Sequence, residues 1–180
     1  TPFQMNKSAA NVIYAGIIGD TGRFLYPSTT SKTFALVSKL IQHDVDLAGI
    51  ADIMITKPLN VNRMTGYIYE HLDVSPEGMA SVVLTKEVLE RFQATDQLAS
   101  LVVSVPGTVE GILAWSMYVE QEDGTFRVHL RSKGPTVNHI AQAFGGGGHT
   151  LACGIPSVTK SQILEVDAEL KEAVKAFKKN

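Results

Sequence analysis

The sequence predicts an α/β protein in two parts, a helical front followed by a compact mixed-sheet domain. Two observations predict this. Apolar residues recur at helical spacing up to about residue 71, and at a period of two in several segments after it. From residue 72 onward, strand-like and helix-like segments follow one another between short turns in the order β-β-α-β-β-α-β-α, the pattern of one sheet carrying helices. The composition is that of an ordinary globular protein, with 44% hydrophobic and 19% charged residues.

Residues 8–19 are apolar nearly all round and contain small residues, as in a buried helix. Asp20-Thr21-Gly22-Arg23-Phe24 breaks that pattern. Thr29, Thr30 and Ser31 offer N-cap hydroxyls, and Phe34, Val37, Leu40 and Ile41 follow at helical spacing, predicting a helix over 31–43. Leu47, Ile50, Ile53 and Met54 form another stripe, Pro58 interrupts it, and Val61, Met64 and Ile68 resume it. This gives a first region at 1–46, a helical linker at 47–71 and a mixed-sheet domain at 72–180.

Within that domain, 72–75 and 79–84 flank Pro76-Glu77-Gly78 and predict a hairpin. Residues 86–92 predict a short helix. Residues 111–121 and 125–132 are the clearest strands, joined by Glu122-Asp123-Gly124. In the second, Phe126, Val128 and Leu130 face one way while Arg127, His129 and Arg131 face the other. Residues 137–144 predict a helix stopped by glycines, 151–158 a strand, and 159–178 a final helix with Ile163, Leu164, Leu170, Val174 and Phe177 as its buried stripe. Trp115 is expected in the core of the central sheet.

A net charge of −2 argues against a protein that coats long duplex DNA. It leaves room for a pocket holding one or two phosphates. A single cysteine, Cys153, excludes an internal disulfide framework and fits a cytoplasmic location; its apolar neighbours mark it as a small buried hydrophobe, not a nucleophile. No apolar run approaches the roughly 18 residues that span a membrane. The chain opens on Thr1-Pro2-Phe3 without an initiator Met or a secretory leader pattern, and is expected to be a fragment.

The most informative stretch is Gly145-Gly146-Gly147-Gly148-His149. Ordering four consecutive glycines is entropically costly. Either the backbone N–H groups wrap an anion, with His149 adding a donor, or the run is a mobile linker. It does not match the phosphate-loop or dinucleotide patterns, because no Gly-Lys-Ser/Thr follows and no strand is predicted before it. Arg131 and Ser132 end a strand shortly before, and Arg supplies a planar fork suited to phosphate oxygens. Asp20 stands at a helix C-terminus, where a carboxylate is disfavoured by the helix dipole. A nearby cation or a plain helix-terminating turn both account for it. His43, Asp44, Asp46 and Asp52 read as solvated surface, and His71, His129 and His139 show no metal spacing.

Four groups of residues together resemble DHH-family phosphoesterases of the nanoRNase / phosphoadenosine-phosphate phosphatase type. Tyr14 to Phe24, including Asp20-Thr21-Gly22-Arg23-Phe24, resembles the last metal-binding motif of that family. His129-Leu130-Arg131-Ser132, Val137-Asn138-His139-Ile140-Ala141 and Phe144 to His149 resemble motifs of its C-terminal substrate-binding domain. The resemblance covers about residues 8–160. It implies that 1–46 is a helical remnant of the DHH catalytic domain and that 72–180 is the DHH-associated domain. It implies a hydrolase of short oligoribonucleotides and 3′-phosphoadenosine 5′-phosphate working through two Mn²⁺ ions.

Carried over by residue, Asp20 is a metal ligand. Arg131, Ser132, Gly146, Gly147, Gly148 and His149 hold the substrate. Arg23 and Asn138 belong to the motifs without a firm role. The Asp-His-His motif itself occurs nowhere in these 180 residues, so the isolated chain is expected to bind nucleotide phosphate without hydrolysing it. Thr150 also departs from the family, which commonly has Pro there. Other readings within the superfamily are a cyclic dinucleotide phosphodiesterase and a single-strand exonuclease, and outside it a non-catalytic nucleotide-binding module. A tRNA-editing accessory domain is disfavoured by the lack of a zinc-type Cys/His set. The apolar faces before about residue 70 are expected to be partly exposed or to mediate self-association, as in a homodimer.

Overall fold

The computed structural model describes residues 5–179, apart from the side chains of Asp96 and Gln97. The chain divides into two compact units, Thr1–Thr56 and Lys57–Asn180.

The first unit is helical, with α1 (Lys7–Asp20), α2 (Ser31–Ile41) and α3 (Leu47–Ile55). Each start is capped as its sequence allows. Asn6 Oδ1 accepts the Ala9 N–H at 2.9 Å, Thr30 and Thr33 close a reciprocal capping box on α2, and Asp46 Oδ1 accepts the Gly49 N–H at 3.0 Å. Ala10, Tyr14 and Ile18 of α1 bury themselves against Val37 and Leu40 of α2. Helix α3 is strongly apolar yet has no buried residue. Val12, Leu25 and Ile53 are each more than 70% exposed, so this unit displays the apolar surface expected of it.

The second unit is built on a six-stranded sheet of order β1-β2-β3-β4-β6-β5. Strands β1 (Asp73–Val74) and β2 (Met79–Leu84) form the expected hairpin, with Asp73 opposite Ser81. β2 runs parallel to β3 (Ala114–Glu120). The crossover between them holds α5 (Lys86–Arg91), α6 (Asp96–Ser100) and a 3₁₀ turn at Val105–Thr108. β3, β4 (Phe126–Ser132) and β6 (Ala152–Val158) are antiparallel neighbours, and β5 (Gly147–His149) closes the sheet as an edge strand on β6.

Two helical layers cover the sheet unequally. On one face, α7 (Asn138–Ala143) and α8 (Lys160–Lys178) pack on Tyr118, Val128, Leu130, Cys153 and Ile155. On the other, α4 (Leu59–Glu70) buries Val61, Met64 and Ile68, together with α5 and α6, against Val82 and Leu84 of β2 and Met117 and Val119 of β3. That second layer ends at β3. On the same face, β4 presents exposed Arg127 and half-buried His129 and Arg131, and β6 and β5 follow with half-buried Ala152 and Gly154 and exposed Gly147 and His149. Trp115 is buried as expected, and its indole N–H donates to the Val103 carbonyl at 2.6 Å.

The predicted α/β class and element order hold, with two additions: α6, and β5 inside the glycine run. The structure divides the 47–71 stretch after Thr56. α3 lies in the first unit, whereas the fully buried stripe of α4 makes it a core helix of the second. A polar contact docks α8 on the sheet. Asp167 Oδ1 accepts from Ser116 Oγ and Tyr118 Oη, each at 2.6 Å. Burial pushes the Asp167 carboxyl above the usual aspartate range, against the lowering effect of the Ser116, Tyr118 and Ser81 hydroxyls, and the charge of Asp73 adds to the rise.

The folded state therefore holds the Asp167 proton more tightly than the unfolded chain. This stabilisation is full below the ordinary aspartate pKa and is lost as pH rises through the raised value. Chemical denaturation of the wild type and Asp167→Asn across pH 3–8 checks this. Relative to the variant, the wild type should lose stability as pH rises; a constant difference contradicts it.

Candidate functional site

The glycine run performs two structural tasks in succession. At the end of α7, the Gly145 N–H donates to the Gln142 carbonyl at 3.1 Å and the Gly146 N–H to the Ala141 carbonyl at 2.7 Å, with Gly145 at φ +75°. This is a Schellman stop, and it needs a residue that tolerates the left-handed region. The chain then turns directly into β5. A Cβ on Gly146 would run into the Gly154 carbonyl, and one on Gly148 would lie 2.7 Å from the Cys153 Cα. Gly148 also sits at φ +136°. Glycine at 145, 146 and 148 is thus demanded by the helix exit and by close packing on β6.

Gly147 is different. It is exposed, and a Cβ there would meet nothing within 4 Å. Neither packing nor backbone conformation requires glycine at this position. What its absence of side chain does is keep one stretch of the sheet face flat, where another molecule can approach the backbone.

The hairpin is fastened at its tip. The Thr150 carbonyl accepts the Val137 N–H and the Leu151 carbonyl accepts the Ser132 N–H, both at 2.9 Å. These bonds tie β5–β6 to the start of α7 and the end of β4. They align two cross-strand rows on the uncovered face: Arg131, Ala152 and His149, and beside it His129, Gly154 and Gly147. Arg131 and His149 stand two strand spacings apart, about 10 Å. Ala152 stands between them in the row, half-buried, with Arg131 half-buried and His149 exposed. Arg131 Nη1 donates to the Leu130 carbonyl at 2.9 Å and the Cys153 carbonyl at 3.2 Å, which holds the guanidinium against the β4–β6 ladder.

The remaining expected residues fall elsewhere. Alternation places Ser132 on the face opposite Arg131. Its Oγ donates to the Leu113 carbonyl at 3.4 Å and accepts the Gly134 N–H at 3.0 Å. Asn138 is half-buried at the first position of α7. Cys153 is buried, and its thiol is pushed up by burial against the lowering effect of the Arg131 charge, as suits a packing group. His129 was visible only as part of a basic strip; its place in the row with Gly154 and Gly147 comes from the register.

In the first unit, Asp20 is exposed at the end of α1. Gly22, Arg23 and Phe24 follow at φ +53°, +59° and +66°. Two non-glycine residues in the left-handed region are strained. They are held by Arg23 N–H to the Ile18 carbonyl at 2.7 Å, Phe24 N–H to Thr21 Oγ1 at 3.1 Å, and the Phe24 ring against Phe34 at 5.1 Å. Among the described residues no group of three His, Cys, Asp or Glu side chains could hold a metal ion. Asp20 offers a single carboxylate, so the described residues do not by themselves fit a two-metal site.

Residues 79–178 match the DHHA1 domain family. The chain belongs to that family. It is 41% identical over 172 residues to the probable bifunctional oligoribonuclease and PAP phosphatase NrnA of Streptococcus mutans, covering 96% of this chain and 56% of that protein. It is 39% identical over 173 residues to the bifunctional oligoribonuclease and PAP phosphatase NrnA of Bacillus subtilis, covering 96% and 55%. An exopolyphosphatase-related protein from Bacteroides fragilis has a crystal structure that superposes with a TM-score of 0.88 at 26% identity, over 97% of this chain and 53% of that one. The chain thus spans about half the length of the relatives it matches. The DHHA1 match takes in the whole glycine hairpin, β4 and α8, and the longer alignments take in Asp20.

The glycine assignments are separable by substitution. Gly146→Ala and Gly148→Ala should each destabilise the fold by more than about 1 kcal/mol, because the opposing atoms are backbone. Gly147→Ala should leave the thermal midpoint unchanged or slightly raised. Equal losses at all three positions would contradict a special role for Gly147.

Proposed function

We propose that the DHHA1 unit captures the phosphate and nucleotide of short RNA ends and of 3′-phosphoadenosine 5′-phosphate, as the substrate-binding part of a cytoplasmic Mn²⁺-dependent phosphoesterase. The observation that carries this is the row Arg131, Ala152, His149 beside side-chain-free Gly147, on a half-face of the sheet that no helix of this unit covers. The names of the Streptococcus and Bacillus relatives support the substrate class.

In this reading Arg131 grips phosphate oxygens through its fork, and His149 donates a ring N–H from the hairpin edge. β5 is an edge strand, so backbone groups on its outer side have no ladder partner and add donors and acceptors. Sugar and base lie on the flat floor of Ala152, Gly154 and Gly147. Ser132 acts through the turn after β4, positioning Arg131. Asp20 would supply one carboxylate toward Mn²⁺, which the described residues alone do not surround, and the strained turn behind Asp20 fixes its direction.

Calorimetric titration with a 5′-phosphorylated RNA dinucleotide tests the pocket. Arg131→Ala and His149→Ala should each weaken binding by about 1.5–3 kcal/mol, the value of one charge-assisted contact. Unchanged affinity in both variants would refute the assignment. With Mn²⁺ added, the 180-residue chain should not turn the dinucleotide over. Robust turnover that Asp20→Ala abolishes would show that this chain holds a complete catalytic site.

A further inference from the structure

We infer that β4 extends the nucleotide pocket into a phosphate track, in which Arg131, His129 and Arg127 hold consecutive phosphates of an RNA strand longer than a dinucleotide. This rests on the pocket proposed above. The three residues share one face of β4, and none is fully buried there. Their partners on β3 are Trp115, Met117 and Val119, all buried; Met117 and Val119 lie in the core beneath the α4–α6 layer, and Trp115 packs with Ala80 and Ile112. That layer ends beside the row of Arg127, His129 and Arg131. On the other side β6 offers only Ala152 and Gly154, then exposed Pro156 after the register shift between Phe126 and Val128. The result is a row of two arginines and a histidine with the helical layer on one side and small residues on the other.

The step along the line matters. Alternate residues of an antiparallel strand stand about 6.8 Å apart, close to the separation of neighbouring phosphates in an extended single strand. Grooves that bind single strands combine such a cationic line with a surface on which bases lie. The chain as a whole carries a net charge of −2, so this row is a local feature and not part of a generally basic surface. The pocket end lies at Arg131 and His149, and the track runs away from it through His129 to Arg127.

The test is fluorescence anisotropy of the full chain with 5′-phosphorylated oligoadenylates of two and four nucleotides at several salt concentrations. Arg127→Ala should weaken the tetranucleotide about tenfold, the scale of one lost charge-assisted contact. It should also reduce the salt slope by about 0.7, one phosphate contact on a single strand, and leave the dinucleotide unchanged. Arg127→Lys should retain most of the tetranucleotide affinity. Equal losses at both lengths, or no loss at either, would overturn the track. Arg131→Ala separates the two claims. If it abolishes dinucleotide binding while Arg127→Ala is silent, the pocket stands and the track falls. If it leaves dinucleotide binding intact, the pocket fails and the track fails with it.

Discussion

Everything in the candidate site depends on how closely β5 lies against β6. The approach is close enough that a Cβ on Gly146 or Gly148 would meet backbone atoms. Gly145 and Gly146 let α7 stop and the chain enter β5 after only a short turn at 144–146. The tip bonds from Ser132 and Val137 then fix the hairpin's register to β4 and α7. Because strand side chains alternate, this register alone decides that His149 falls in the row of Arg131 and Gly147 in the row of His129. A slip of one residue would send His149 to the helix-covered face.

The second determinant is the uneven coverage of the sheet. α7 and α8 seal one face, and the polar contact of Asp167 with Ser116 and Tyr118 keeps α8 in place over it. The opposite face is sealed only over β2 and β3. Cations on β4 are therefore only partly desolvated. An Arg there keeps its charge at modest cost while sitting against a low-dielectric wall, which strengthens its attraction to an anion. Full coverage would have required apolar residues at 127, 129 and 131.

Much of this was legible in the sequence. The alternation from Phe126 to Ser132 gave β4 and its two faces, and the four glycines before His149 marked a place where backbone must come close to something. What they come close to was not legible. For Gly146 and Gly148 it is β6, a strand later in the chain, and only three-dimensional packing separates them from Gly147. Strand β5 was missed because glycine has low strand propensity and tertiary pairing overrode it. The stretch 47–71 looked uniform because both of its helices carry an apolar stripe; that the stripe of α4 is buried and that of α3 is not depends on partners, not on spacing. Ser132 shows the limit of motif adjacency, since neighbours in a strand occupy opposite faces.

The most direct measurement is backbone amide chemical-shift mapping of the chain titrated with an RNA dinucleotide. A concave surface elsewhere in this unit is the alternative, the groove between α7 and α8 lined by His139, Phe144, Glu165 and Glu169. The account predicts shifts concentrated at His129, Arg131, Gly147, His149, Ala152 and Gly154, with the α7–α8 groove silent. Shifts concentrated at His139, Glu165 and Glu169, with the β4–β6–β5 face silent, would contradict it.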